Sequence, residues 1–309
     1  MKLCFVFPGQ GSQSVGMGRE LYDSLAEVRE LYKIASDELG YDAAKVSFEG
    51  PQEELNKTFI TQPCLLTASI AALKAIETKG IKPFVVAGHS LGEYSALVAA
   101  GSISFKDAVK ITEKRGRIMQ EAVPEGKGLM AAILGLDRKV VDSICGSVTA
   151  GYAGVANYNC PGQIVISGEK PAVEEAMAKA KEAGAKRAIP LAVSVPSHCR
   201  LMEDAGKRLE NELHNISINE AGIKFINNTG AALISTPADI RSSLVKQLSE
   251  SVLWEDCVRT ASASGAEAFV EVGPGKVLSG LIKRIEPSAK IYNVEDTASL
   301  DKFIAEVKN

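Results

Sequence analysis

Apolar and polar positions follow two rhythms along this chain. Short, nearly unbroken apolar runs at Lys2–Phe7, Pro83–Ala87, Glu267–Val272 and Ile291–Val294 read as buried strands. Between them, apolar residues recur at helical spacing over Arg19–Glu38, Leu91–Ala100, Phe105–Ala122, Lys276–Ile285 and Ser299–Val307. Pro63 stands where a helix can begin and Gly80 where one can end, so Pro63–Lys79 joins the set. Strands alternating with helices predict an α/β fold, with a mostly parallel sheet covered on both faces.

The middle of the chain breaks that rhythm. Gly128–Leu136 reads as a strand, Arg138–Cys145 as a helix, and Gly154–Tyr158 and Gln163–Ser167 as strands joined by the turn Asn159-Cys160-Pro161-Gly162. A helix over Pro171–Ala183, ended by Gly184, and a strand over Lys186–Val193 follow. That order is β-α-β-β-α-β, the ferredoxin-like arrangement, complete in itself. It predicts a subdomain of residues 127–193 inserted into a core built from residues 1–126 and 194–309.

Composition narrows the class. The chain has 309 residues, 46% hydrophobic and 24% charged, which excludes wholesale disorder and suits one large domain carrying a smaller one. Thirty-five Lys and Arg against 38 Asp and Glu give a net charge of −3, without the basic excess of a nucleic-acid binder. The six cysteines are scattered and form no CxxC pair, so neither a disulfide framework nor a zinc site is expected. The uncharged stretches Ser143–Gly168 and Thr58–Leu73 contain Gly, Pro and polar residues and fall short of the ~20 apolar residues of a membrane span. The apolar run Leu3–Phe7 is too short for a signal-peptide core. A cytoplasmic protein without a membrane partner is the expectation.

Gly88-His89-Ser90-Leu91-Gly92 fits G-x-S-x-G and lies between an apolar run and a helical one, the strand–turn–helix setting of a nucleophile elbow. There the Ser90 hydroxyl sits at a helix start and the Leu91 N–H can face a developing oxyanion. The plainer alternative is a glycine-rich turn with Ser90 as an N-cap. A serine nucleophile needs a base, and three histidines are available. His89 adjoins Ser90, where neighbouring side chains diverge, and His214 ends a charged helical run. His198, directly after the last strand of the insert, is left as the candidate base, at a seam where clefts form, the plainer alternative being a hydrogen-bonded structural histidine. The glycines of Pro8-Gly9-Gln10-Gly11-Ser12-Gln13 do not complete a dinucleotide fingerprint, since Ser14 takes the last glycine's place. Arg115 interrupts the apolar stripe Ala108, Ile111, Thr112, Ile118, Met119 and Ala122. An inward arginine requires an anion, either an internal carboxylate or that of a substrate.

These segments converge. Phe7-Pro8-Gly9-Gln10-Gly11-Ser12-Gln13, Thr61-Gln62-Pro63, Gly88-His89-Ser90-Leu91-Gly92-Glu93-Tyr94, Asn157-Tyr158-Asn159-Cys160-Pro161-Gly162-Gln163, Val195-Pro196-Ser197-His198-Cys199 and Glu271-Val272-Gly273-Pro274-Gly275 together resemble the malonyl-CoA:acyl-carrier-protein transacylases of bacterial fatty-acid synthesis. The resemblance runs in family order over nearly the whole chain. It implies an α/β-hydrolase-like core with a ferredoxin-like insert. It implies Ser90 as the acylated nucleophile, His198 as base, and Gln247 as the residue whose carbonyl oxygen holds the imidazole. Gln10 and Leu91 are implied as the oxyanion hole, and Arg115 as the partner of the malonyl carboxylate. Gln62 and Met119 match pocket-lining positions, Asn157, Asn159 and Gln163 positions near the thioester arm, and Ser197 the malonyl-type pattern before the histidine. The implied partners are malonyl-CoA and an acidic acyl carrier protein that brings its own phosphopantetheine. No metal or other cofactor and a monomeric state are expected. Lys186, Arg187, Lys276, Lys283 and Arg284 are candidates for receiving the carrier.

A polyketide-pathway acyltransferase is the neighbouring alternative. A serine thioesterase or other α/β-hydrolase is less consistent, because two strand–helix pairs follow His198 where that fold places its histidine late. A scaffold that had merely kept the fold would be expected to lack the serine or the histidine.

Overall fold

The computed structural model describes residues 1–124, 126–191 and 195–307. Its strands, in chain order, are β1 (Leu3–Phe7), β2 (Val85–Gly88), β3 (Gly128–Leu134), β4 (Ala153–Cys160), β5 (Gln163–Glu169), β6 (Arg187–Pro190), β7 (Lys224–Ile226), β8 (Leu233–Ile234), β9 (Ala268–Val272) and β10 (Lys290–Val294). They form a larger sheet ordered β10-β9-β1-β2-β7-β8 and a smaller one ordered β4-β5-β3-β6.

The larger sheet is parallel except where β8 pairs antiparallel with β7. In β1, Leu3, Phe5 and Phe7 enter one core with the helix Thr58–Glu77, while Cys4 and Val6 enter another with the helices Trp254–Ala263 and Val277–Ile285. Neither face meets water, so the strand reads as an apolar run and not as an alternation. Glu271 is the charged member of β9 and is fully buried. Its carboxylate accepts the N–H groups of Leu278 and Ser279, free donors in the first turn of the helix Val277–Ile285.

The smaller sheet is antiparallel throughout. The helices Arg138–Gly146 and Lys170–Glu182 cover one face, burying Ile133, Val141, Ile166 and Val173. The other face carries Met130, Ala156 and Val165, with Leu191 packed against them. Strand β4 bulges between Val155 and Asn157 and again between Tyr158 and Cys160. There it leans on the core: Tyr158 N–H donates to the Val252 carbonyl (3.0 Å) and Val252 N–H to the Ala156 carbonyl (2.8 Å). The expected strand Lys186–Val193 is observed over Arg187–Pro190, with Leu191 beyond its end; residues 192–194, and with them the expected boundary between residues 193 and 194, lie outside the described residues.

Two expectations are corrected, and one stretch without assigned elements is filled in. The single helix Arg19–Glu38 is two helices, Arg19–Ser24 and Ala26–Leu39, separated by an extended Leu25 (φ −125°, ψ 125°). Arg29 makes the break tolerable, because its guanidinium donates to the freed carbonyls of Tyr22 and Asp23 at 3.0 Å each. Pro63 does not open its helix: that helix is Thr58–Glu77, with Pro63 inside. Its early start is anchored by Thr61 Oγ1, which donates to the Leu55 carbonyl (2.5 Å), and by Gly116, where a Cβ would come within 2.5 Å of Phe59 Cα. At 20 residues this helix is also long and apolar enough to cross a bilayer, yet 17 of its residues are buried inside the protein. Finally, the stretch between Arg200 and Ala266 carries few signals in its sequence, but holds β7, β8 and the helices Glu203–Leu213, Pro237–Lys246 and Trp254–Ala263.

Candidate active site

The site begins with a turn that only glycine permits. A Cβ on Gly88 would stand 1.9 Å from the Gly92 carbonyl oxygen, and one on Gly92 would stand 2.0 Å from that of Phe7. These contacts bring the end of β2, the start of the helix Gly92–Ala99 and the end of β1 together around Ser90. Ser90 itself has φ +51°, a left-handed conformation that costs a non-glycine residue roughly 1–2 kcal/mol. The strain is held in place from outside the turn. The Asn228 side chain accepts the Ser90 N–H (2.7 Å) and donates to the Gly88 carbonyl (2.7 Å), and Gln247 Nε2 donates to the Ser90 carbonyl (2.9 Å). Ser90 does not cap the helix through its side chain. Its hydroxyl points to a base instead.

His198 Nε2 lies 2.8 Å from Ser90 Oγ, and His198 Nδ1 lies 2.7 Å from the Gln247 backbone carbonyl. A carbonyl only accepts, so Nδ1 carries the proton and Nε2 offers a lone pair to the serine. Burial and the neighbouring Arg115 charge push the His198 pKa down to about 3, which keeps the ring neutral. His198 also has a positive φ, +60°. His89 points away from the hydroxyl: its Nε2 meets Asn159 Oδ1 (2.9 Å) and its ring stands edge-on to Trp254. His214 is an exposed C-cap at the end of the helix Glu203–Leu213.

Arg115 comes from the helix Phe105–Ala122, whose observed limits match the sequence expectation, and it is 1% exposed. One guanidinium nitrogen donates to Gln62 Oε1 (2.7 Å); another donates to Gln247 Oε1 (2.9 Å) and approaches Ser90 Oγ (3.3 Å). Among the described residues its Nε has no hydrogen-bond partner and no carboxylate lies within ion-pair distance. A cationic fork is thus held beside the nucleophile by neutral amides.

These groups face a cleft of about 120 Å3 lined by Gln10, Thr58, His89, Ser90, Arg115, Met119, Met130, Asn157, Leu191, Val195, Ser197 and His198. Among the described residues, the backbone N–H groups of Gln10 and Leu91 donate to no protein acceptor, as an oxyanion hole requires. Gln62 is buried and reaches the cleft only through Arg115 and a 3.5 Å contact to Met119 Sδ. Gln163 sits elsewhere: it accepts from Arg284 (2.7 Å) beside a second groove, of about 640 Å3, lined by Lys186, Arg187 and Arg284 among others.

Proteins of known family resemble this chain over nearly its whole length. Residues 4–309 match the model of the acyl transferase domain family. A malonyl CoA-acyl carrier protein transacylase of Haemophilus influenzae is 50% identical over 303 residues, 97% of each chain. The chain belongs to the malonyl CoA-acyl carrier protein transacylase family. An acyl carrier protein S-malonyltransferase of Vibrio cholerae superposes with a TM-score of 0.96 at 48% identity, over 98% of this chain and 100% of that one. A malonyl-transacylase solved in complex with a type II PKS acyl-carrier protein gives 0.96 at 46% identity, over all of both chains.

Some residues of this transacylase site carry no signal in the sequence. Met130 and Leu191 reach the cleft from the smaller sheet, and nothing in a strand's apolar run tells which face meets substrate. Thr58 and Asn228 lie in segments whose elements the sequence pattern misplaces or leaves unassigned. Glu93 stands within the elbow motif, yet nothing in the sequence gives it a role. It is fully buried at the start of the helix Gly92–Ala99 and accepts from Gln247 Nε2, the Asn228 N–H (3.3 Å) and Ser243 Oγ (3.5 Å). Burial drives its pKa up to about 7, against the pull of those donors and of Arg115.

Proposed function

We propose that this chain moves the malonyl group of malonyl-CoA to the phosphopantetheine thiol of acyl carrier protein, for fatty-acid synthesis, through a malonyl ester on Ser90. The observation that carries the substrate assignment is the Arg115 guanidinium, 3.3 Å from Ser90 Oγ and without an ionic partner of its own. A thioester whose acyl group ends in a carboxylate can pair with that fork while its carbonyl carbon lies at the serine.

His198 Nε2 takes the Ser90 proton as Oγ adds to the thioester carbonyl. The negative oxygen of the tetrahedral adduct is received by the Gln10 and Leu91 N–H groups. Collapse breaks the carbon–sulfur bond, and the imidazolium proton goes to the departing coenzyme A sulfur. In the second half the carrier's thiol gives its proton to His198, its sulfur adds to the ester carbonyl, and Ser90 Oγ leaves with the proton returned. Thioester, serine and histidine balance every step without a metal or redox group. A neutral base matters here, because an imidazolium could not accept either proton.

The groove with Lys186, Arg187 and Arg284 is a fitting dock for an acidic carrier. Arg284 also donates to the Pro161 carbonyl (2.9 Å), in the turn that carries Asn159 toward His89. Lys276 and Lys283, the other candidates, are not part of that lining. A cytoplasmic setting suits the six buried, unpaired cysteines. The decisive experiment is intact mass after mixing with malonyl-CoA, followed by digestion. A malonyl increment on Ser90, discharged faster by carrier protein than by water, supports the reading. Increment on another residue, or discharge by water at the same rate, refutes it.

A further inference from the structure

The base and the carboxylate-binding arginine meet at one residue, Gln247. Its backbone carbonyl accepts from His198 Nδ1 (2.7 Å), and its side-chain oxygen accepts from Arg115 (2.9 Å). An amide has two ends that exchange by a simple flip, and the flipped form would aim an NH2 group at the guanidinium, donor against donor. The other contacts of Gln247 Nε2 are the Ser90 carbonyl (2.9 Å), the Asn228 side-chain oxygen (3.4 Å) and the Glu93 carboxylate. The Ser90 carbonyl and the Asn228 amide oxygen favour the same orientation, but as neutral acceptors they are weaker reasons for it. A buried carboxylate is a strong one, because in its ionised form it can only accept.

We propose that Glu93 is a positioning residue of the transfer reaction: through Gln247 it fixes the Arg115 fork toward the malonyl carboxylate. Glu93 touches neither the cleft nor the reacting atoms, being absent from the cleft lining and fully buried. It acts at one remove, with the amide as an oriented link between a buried anion and a buried cation. Its second oxygen is committed as well, to the Asn228 N–H and the Ser243 hydroxyl. Both oxygens therefore need to be acceptors, which an amide side chain cannot supply. In Glu93→Gln one of two clashes follows. The introduced NH2 group faces the Asn228 N–H, or it faces Gln247 Nε2 and turns that amide over against Arg115.

This proposal rests on the reading of Arg115 as the malonyl-binding group, and its test separates the two. Glu93→Gln, matched in volume, and Glu93→Asp, which keeps the charge but withdraws it from Gln247, are compared with wild type. The readouts are thermal melting, KM and kcat for malonyl-CoA, and kcat/KM for acetyl-CoA, which has no carboxylate to hold. Folded Glu93→Gln should lose about tenfold or more in kcat/KM for malonyl-CoA, with KM raised, and less for acetyl-CoA, so that the malonyl-to-acetyl ratio falls. Glu93→Asp should share the direction, and its ratio decides should Glu93→Gln not fold. A folded variant whose ratio equals that of a malonyl-selective wild type overturns the proposal alone. A wild type that does not favour malonyl overturns the Arg115 reading and the proposal with it. Failure of both variants to fold assigns Glu93 to the fold and also overturns it.

Discussion

Removing the Arg115 side chain is the sharpest perturbation of the proposed chemistry. The guanidinium sits beside Ser90 Oγ and is steered by Gln62 and Gln247, with no carboxylate of the described residues within ion-pair distance. A charge-assisted bond to a carboxylate contributes about 1.5–3 kcal/mol, and a fork offers two. Counting both, and subtracting what water offers in the vacated space, Arg115→Ala should lose roughly 3–5 kcal/mol of transition-state stabilisation for malonyl-CoA. At about 1.4 kcal/mol per decade that is a fall of about 10²–10⁴ in kcat/KM. Acetyl-CoA, with nothing to pair, should fall far less, so the ratio of the two substrates collapses. Arg115→Lys should recover little, since a point charge cannot reach both oxygens while keeping Gln62 and Gln247 satisfied. The assay is kcat/KM for both thioesters beside a melting curve. A folded Arg115→Ala with an unchanged ratio would show that the arginine serves only the interior, and the substrate assignment would fall.

Two histidine variants separate the base from a bystander: His198→Ala should slow acylation by about 10²–10⁴-fold, while His214→Ala should do little, and an exchange of those results in single-turnover acylation would remove His198 from its role. Because the His198 pKa is pushed down to about 3, the base stays unprotonated across pH 5–8. For acetyl-CoA, which makes no use of the Arg115 fork, the acylation rate should therefore lack the acid limb near pH 6.5 that an unperturbed histidine gives, and a limb there would contradict the burial argument; with malonyl-CoA, protonation of Glu93 near pH 7 should loosen the fork and give an acid limb of its own. The same shift bears on stability with a definite sign. The unfolded chain binds the proton first, so this contribution is present above pH 6.5 and lost as pH falls toward 3; acid melting curves of His198→Gln should lose that part of the slope. Carrier-dependent discharge of the malonyl enzyme should weaken with salt more than acylation by malonyl-CoA does, and equal responses would argue against the Lys186, Arg187 and Arg284 groove as the dock.

Much of this site is legible in the sequence because its chemistry is tied to short-range constraints. The glycines of the elbow are demanded by carbonyl contacts within 2 Å of where a Cβ would be, and the inward face of the helix Phe105–Ala122 is fixed by its own period. The βαββαβ order is legible for the same reason, since each element carries its own rhythm and turn residues. What escapes depends on distant pairing. Asn228 follows a three-residue strand too short for any period, and acquires its function only by reaching back to Ser90, 138 positions away. The break at Leu25 is hidden because the carbonyls it frees are satisfied by a side chain from the next helix. Glu93 sits in an apolar helix where a carboxylate looks out of place, and its partners come from two segments far along the chain, the loop at Asn228 and the helix end at Ser243 and Gln247.

Ser90 and His198 face each other, and both hold left-handed backbone that neither side chain favours. For Ser90, glycine would relieve that conformation, so Ser90→Gly trades an inactive enzyme against roughly 1 kcal/mol of released strain. Selection for foldability and selection for turnover therefore pull in opposite directions at the same residue. In a lineage where the reaction is no longer required, drift at position 90 has a downhill path toward glycine, and loss of activity leaves the protein sturdier than before. A glycine at this position in a chain with an otherwise intact elbow would thus mark relaxed selection on catalysis, legible without any assay.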